Sequence, residues 1–400
     1  MSRFSGMIHD DFLPVARALC KMVRRPEDGG AAVCVYHRGE KVVDIWAGNR
    51  NAEGTPWAED TAALSFSTTK GVTSAAVHLL ADRGLISYDD PVSRYWPEFA
   101  AAGKRELTIR HVLCHESGLF DIGSLVSDSR EMLDWGHICR LLAASEPRFR
   151  PGTANGYQAI TYGWLAGEIV RRVTGVPIER FVASEIAEPL RADGLCLLVP
   201  AEQRRRLATL INPLAVRSRF GAERTLSERY RRADRLMSRL PRWTRCALTP
   251  RGILPFVFSD EVLDAPIPSL NGVFTARSLA KLYAAIVSGG ARDLPRLFSD
   301  STARSLGVAQ NRRRDKVLFI PMYWRLGYHF VGTNRGVVRG AFGHFGYGGS
   351  GAWGDLRSEL AVALVVNRVA GTPIGDTRML RIGGAALACA NKRSQALVKA

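Results

Sequence analysis

The four residues Ser67-Thr68-Thr69-Lys70 carry the first sign of chemistry. A serine three positions before a lysine puts both side chains on one helix face, a turn apart. The lysine amine can then join the proton traffic that activates the serine hydroxyl. A serine at the start of a helix also meets the positive helix end, which favours a developing alkoxide. The spacing alone is not specific, because Ser278-Leu279-Ala280-Lys281 repeats it. Context separates the two copies. A short apolar run, 62–66, leads directly into Ser67. Val72, Ala76, Leu79 and Leu80 then recur at helical spacing over 68–83, and Gly84 suits the C-terminal cap. Ser67 therefore reads as a nucleophile at a strand-to-helix junction, with an ordinary helix cap as the alternative. Ser278 lies inside an amphipathic pattern over 275–288 with no apolar strand before it, and Lys281 reads as a solvated helix residue.

The elements that must hold such a site follow from the pattern along the chain. Residues 31–48 read as a β-hairpin, two apolar runs around the polar tip His37 to Glu40. Residues 85–200 carry helical patterns, clearest from about 160 to 173, with Gly175 after the end. β-like runs return at 323–332, 340–346, 351–356 and 359–367, and a last helix takes roughly 375–391. A lone hairpin cannot bury its apolar face. Pairing it with the late strands in one antiparallel sheet leaves the helical middle as a second lobe. A cleft between the lobes is a natural ligand site. The expected organisation is one catalytic domain over 1–400. Its α/β lobe is drawn from about 1–60 and 315–400. Its helical lobe spans about 61–314 and includes an Arg-rich insertion at about 201–251.

Three segments narrow the chemistry. SFSTTKGVTSAAVHLLADRGLISYDDPVSRYWPEF, followed by LTIRHVLCHESGL, resembles the nucleophile region of class C β-lactamases and their esterase relatives. RPGTANGYQAITYGWLAGEIVRRVTG resembles the second motif region, a P-G-T with a Tyr six residues after the Pro; that Tyr is Tyr157. GHFGYGGSG resembles the third, with His344-Phe345-Gly346 where K-T-G usually stands. Three motifs in order, about 90 and 190 residues apart, are far more specific than any one. The resemblance covers about 30–200 and 270–370. It implies a β-lactamase/transpeptidase-like fold of the α/β (α+β) class, an antiparallel sheet flanked by helices beside a mainly helical lobe. It implies Ser67 as nucleophile, with Lys70 and Tyr157 sharing general-base and general-acid work. The oxyanion region would be formed by Ser67, Gly346 and Tyr347, with the backbone N–H groups of Ser67 and Tyr347 as donors. The order in which Lys70 and Tyr157 move the proton stays open, and Tyr157 also reads as a buried core tyrosine.

Two departures bear on substrate. Ala159 stands where the second motif often has Asn, so a side-chain amide for a substrate amide is missing. A neutral imidazole and a phenyl ring at 344 and 345 bind a substrate carboxylate poorly. Both changes resemble the family VIII carboxylesterase branch. They weaken a β-lactamase or D-alanyl-D-alanine carboxypeptidase reading. A non-catalytic sensor or scaffold would be expected to have lost one of Ser67, Lys70 and Tyr157. His344 is a candidate second proton carrier, or a structural hydrogen-bonding group. His111 and His115 are four apart, but the pattern is not H-E-x-x-H, and no metal or other cofactor is expected. An α/β-hydrolase is nearly excluded. Gly348-Gly349-Ser350-Gly351-Ala352 fails the last position of G-x-S-x-G, and no His follows His344.

Composition bounds the rest. The chain is 46% hydrophobic over 400 residues, enough for a large core. The formal charge is +17, and 47 of the 55 basic residues are Arg. No nucleic-acid module accompanies that charge, so no nucleic-acid partner is expected. The seven scattered cysteines make no disulfide framework and suggest a reducing compartment. With no signal-peptide or transmembrane pattern seen, a cytoplasmic or membrane-peripheral protein is expected. Its expected partner is a small-molecule ester or a lipid. The region 201–251 stands apart, with 14 Arg, no Lys and four acidic residues. Leu226, Tyr230, Ala233, Met237 and Leu240 form an apolar stripe along its arginine-rich helix. Over 217–251 it reads either as a surface helix packed on the helical lobe or as a cap touching an anionic membrane.

Overall fold

The computed structural model describes residues 4–212, 214, 225–291, 294–370 and 376–399. Its strands are β1 (Ser5–Ile8), β2 (Gly30–His37), β3 (Glu40–Gly48), β4 (Ala63–Leu64), β5 (Leu195–Cys196), β6 (Val273–Phe274), β7 (His329–Thr333), β8 (Gly336–Phe345), β9 (Gly351–Asp355) and β10 (Leu360–Val366). Its helices begin with α1 (Leu13–Met22), α2 (Thr69–Asp82), α3 (Ile109–Leu113), α4 (Trp135–Ala144), α5 (Tyr162–Thr174) and α6 (Ile178–Val182). They continue with α7 (Leu226–Met237), α8 (Arg242–Leu248), α9 (Ile253–Val257), α10 (Ala276–Val287), α11 (Asp300–Leu306) and α12 (Thr377–Lys399).

The early hairpin joins the late strands in one antiparallel sheet of order β1-β3-β2-β10-β9-β8-β7. Strand β10 shows why this sheet is a divider rather than a surface. Every one of its residues is buried. Leu360, Val362, Leu364 and Val366 face one core; Ala361, Ala363 and Val365 face the other. A strand apolar on both faces needs cover on both. Helices α1 and α12 cover the first face, and α10 the second. Helix α10 was expected in the helical lobe. It lies against β2, β9 and β10 instead, because its long buried face (Leu279, Leu282, Tyr283, Ile286) meets the small alanines of β10.

Strand β1 and helix α1 were not anticipated from the sequence. Strand β1 is an exposed edge pairing Ser5 to Ile8 with Trp46 to Val43. The run expected at 323–332 is strand only from His329. Tyr323 and Leu326 before it adopt left-handed φ values, of 49° and 47°, which no regular strand accepts. Helix α5 ends as expected at Gly175, whose φ of 75° closes the last turn. Helix α12 runs further than expected, to Lys399.

A second, small sheet of order β4-β6-β5 matters most for function. Strand β4 delivers the chain to Ser67, and its pairing with β6 fixes that delivery. All seven cysteines are unpaired. Among the described residues no helix is long and apolar enough to cross a membrane.

Candidate active site

Ser67 sits in a single 3-10 turn, Phe66–Thr68, between β4 and α2. Ser65 N–H donates to Gly272 O, 2.9 Å, and Gly272 N–H donates to Thr69 Oγ1, 3.0 Å. These two bonds lock the turn to β6 from both sides. Phe66 is driven to a φ of 46°, a left-handed conformation that a bulky residue enters only under constraint. The result aims Ser67 off the N-terminus of α2 and leaves it partly exposed.

Lys70 lies one turn along, fully buried. Its Nζ is 3.0 Å from Ser67 Oγ, 2.6 Å from Ala159 O and 2.9 Å from Ser269 O. Burial pushes its pKa well below the ordinary lysine value. A neutral amine has two N–H donors and one lone pair. The two carbonyls can only accept, so they take both donors. In the neutral form that this downward shift favours, the amine's lone pair is free to take the Ser67 hydroxyl proton. Tyr157 Oη sits 2.9 Å from the same Oγ, and Lys70 Nζ is 5.1 Å from the Tyr157 ring centre. Burial, the largest influence, drives the Tyr157 pKa above its ordinary value against the opposing Ser67 hydrogen bond. Its hydroxyl therefore stays protonated and donates to Oγ.

The scaffold behind Tyr157 was not legible in the sequence. Trp324 stacks on its ring at 5.5 Å and 10°. His115 meets both rings, at 5.0 Å from Tyr157 and 4.0 Å from Trp324. Asp315 is buried and accepts the backbone N–H of Tyr157, 3.2 Å, with those of Val317 and Leu318. Burial raises its pKa while these donors oppose the rise. Asp315 is the one acid in the run Arg312-Arg313-Arg314-Asp315-Lys316, a faint signal at most. Ser269 was missed because its contribution to Lys70 is a backbone carbonyl, which any residue type carries.

The third motif forms the wall opposite. Gly346 N–H donates to Ser350 O, 2.8 Å, so it is committed and not aimed at a ligand. A side chain at Gly346 would strike Ser65 O, so the glycine permits the close approach of this loop to the turn bearing Ser67. Tyr347 lines the cleft beside Ser67, its ring edge-on to Phe66 at 5.5 Å. His344 is buried with its ring 6.3 Å from that of Tyr157, and its Nδ1 lies 3.1 Å from Phe345 O. Burial, reinforced by His329 and Lys70, holds its pKa well below the ordinary histidine value. Its ring packs against the site and makes no hydrogen bond to Ser67, Lys70 or Tyr157. Phe345 turns to the other face of β8, against the core under α12.

The other candidate residues have structural work. His111 completes the N-terminal capping box of α3 with Thr108. His115 Nδ1 accepts the Gln158 N–H, 3.1 Å. Among the described residues no group of three or more His, Cys, Asp or Glu is placed to hold a metal. Ser278 is buried inside α10, where its Oγ accepts Gly194 N–H, 3.1 Å, and bonds Thr275 Oγ1. Lys281 donates to Arg191 O, 3.3 Å, and is half-buried rather than freely solvated.

Above Ser67 and Tyr157 opens a cleft of about 310 Å³. Its walls are overwhelmingly apolar: Leu236, Met237, Leu240, Leu248, Leu254 and Leu270. Among the described residues no arginine or lysine lines it. Three of the wall residues come from α7 and the turn after it. The Arg-rich segment is thus part of the site, although 217–224 of the expected cap lie outside the described residues.

The beta-lactamase family model matches residues 16–386. The chain belongs to that family. An esterase/beta-lactamase of Mycobacterium tuberculosis, LipL, is 39% identical over 372 residues, 92% of this chain and 83% of that protein. Among solved structures, a family VIII carboxylesterase superposes with a TM-score of 0.85 at 31% identity, covering 97% of this chain and 100% of the other. A penicillin-binding protein homologue from Caulobacter crescentus gives 0.82 at 32%, with the same coverage. The fold is the β-lactamase/transpeptidase-like one, and the chain is a serine hydrolase of the esterase and beta-lactamase kind.

Proposed function

We propose that this chain is a carboxylesterase that takes neutral esters with apolar acyl groups and works through an acyl-enzyme on Ser67. Neutral Lys70 accepts the Ser67 proton as Oγ attacks the ester carbonyl. The backbone N–H groups of Ser67 and Tyr347 hold the oxyanion, aided by the N-terminus of α2. Tyr157 passes a proton to the departing alcohol, and the proton on Lys70 replenishes the relay. Water then attacks the acyl-enzyme by the same steps in reverse. Ser67 leaves as the alcohol, reprotonated. His344 acts as packing for the Tyr157 ring rather than as a proton carrier.

The observation that carries this reading is the junction at Ser67 Oγ. Lys70 and Tyr157 both reach it within 3.0 Å, at the floor of an apolar cleft. That cleft favours esters over β-lactams, whose carboxylate would meet no free cation there. The name of the Mycobacterium tuberculosis relative supports weak β-lactam turnover as a second activity. The deciding experiment is hydrolysis of p-nitrophenyl esters of increasing acyl length beside nitrocefin, with Ser67→Ala as control. Esters should be turned over far faster. Nitrocefin hydrolysis at rates comparable with the butyrate ester would overturn the ester assignment.

A further inference from the structure

Helix α7 has an unusual construction for a wall of the site. None of its residues is buried. Among the described residues it is tied down in its first turn and a half and just beyond its C-terminal end. Asn212 Nδ2 donates to Tyr230 Oη, 2.7 Å, and Arg229 donates to Leu214 O, 2.9 Å. Beyond its far end, Arg245 donates to Ser238 O, 3.0 Å, and Trp243 packs on Phe120. Between these ties, Met237 and Leu240 turn into the cleft over Ser67. Leu236 stands at its mouth, 66% exposed, and Leu226 is 44% exposed. Around this apolar edge Arg231, Arg232, Arg235 and Arg239 are all exposed. None of the four makes an ion pair among the described residues, although Glu228 and Asp234 share the helix.

Exposed leucine beside unpaired arginine, on an element that also lines an acyl-binding cleft, matches one kind of surface. Apolar side chains enter the acyl boundary while arginines meet anionic headgroups. A polynucleotide would use the arginines but give Leu236 and the cleft mouth nothing to contact. We propose that α7 is a docking lid for an anionic lipid surface, and that it delivers acyl chains from that surface to the cleft above Ser67. This rests on the esterase reading for its second half only. Docking itself does not require Ser67 to react.

The test uses the full-length protein and sedimenting vesicles of phosphatidylcholine, with and without phosphatidylglycerol. Wild type should co-sediment with the anionic vesicles, and less so as salt rises. Changing Arg231, Arg232 and Arg235 together to Gln should weaken that binding on the order of a hundredfold. The same variant should hydrolyse soluble p-nitrophenyl butyrate like wild type. Ser67→Ala should bind vesicles like wild type, so a wrong nucleophile assignment would leave the docking result readable. Anionic vesicles should raise turnover of a long-chain ester by wild type and not by the triple variant. The proposal is overturned if wild type and the triple variant sediment alike. It is equally overturned if neither sediments, or if wild type retains single-stranded RNA but not vesicles.

Discussion

The molecule contains the same four-residue spacing twice, and the two copies have opposite fates. Ser67 and Lys70 stand where a strand turns abruptly into a helix, at the floor of an open cleft. Ser278 and Lys281 stand one turn inside α10, which packs on the central sheet. Both serines have hydrogen-bonding partners, but different ones. Ser67 meets an amine and a phenol, groups that can exchange protons. Ser278 meets a backbone N–H and a threonine hydroxyl, which at neutral pH only fix geometry. The lysines differ likewise. Lys70 is fully buried and its pKa falls well below the ordinary value; Lys281 is partly solvated and shifts less. On the proposed reading, reactivity belongs to the surroundings of the motif rather than to its letters.

Breaking the active copy should have the largest effect. Ser67→Ala should remove esterase activity while circular dichroism and melting temperature stay near wild type. Residual activity above a few per cent in a purified sample would move the nucleophile elsewhere. Next come Lys70 and Tyr157, the proposed proton carriers. Lys70→Ala and Tyr157→Phe should each lower kcat by roughly 10²–10⁴, and the double variant should fall well short of the product of the two losses. The pH profile sharpens this point. A base works only when neutral, so kcat/KM should rise with pH through the depressed Lys70 pKa. It should level off well below the ordinary lysine range. Tyr157, with its pKa raised, stays protonated across that plateau. A rate that climbs only near the ordinary lysine value would contradict a buried neutral amine.

A smaller effect is expected at the cleft wall. Met237→Asp should slow octanoate esters roughly tenfold more than acetate, because only the longer chain reaches that wall. Equal losses on both would place the acyl chain elsewhere. The smallest effect belongs to the inactive copy. Ser278→Ala should leave turnover within about twofold of wild type and cost about 1 kcal/mol in a urea melt. The cost arises because Gly194 N–H loses its buried acceptor. A large loss of activity at unchanged stability would give Ser278 a role that its position denies.

The sequence made Ser67, Lys70 and Tyr157 legible as candidates because chemistry restricts side-chain type. A nucleophile, an amine and a phenol at fixed spacings admit few substitutes. It made the sheet legible where alternation is strong, as in residues 31–48 and 359–367. It was silent where the backbone acts. Ala159 O, Ser269 O and Gly346 N–H are offered by any residue, so composition carries no trace of them. It was silent on Asp315 and Trp324 for another reason: they matter through contact with Tyr157 some 160 positions away, and periodicity sees only neighbours. Helix α10 was misplaced because its amphipathic pattern states that one face is buried, not against what. The exposed edge β1 carries too little apolar signal to read as a strand.

The small sheet has a consequence for how the protein becomes active. Strand β4 and strand β6 lie some 210 positions apart, and the turn bearing Ser67 is locked only when they pair. Lys70 needs carbonyls at 159 and 269, and the cleft wall needs Tyr347. Every one of these is a contact across a long loop, and closing long loops is slow. The helices of the middle region can form from local contacts well before that. Refolding from denaturant should therefore restore helical circular dichroism first and ester turnover last. The enzyme's own activity would serve as the clock for the final docking step.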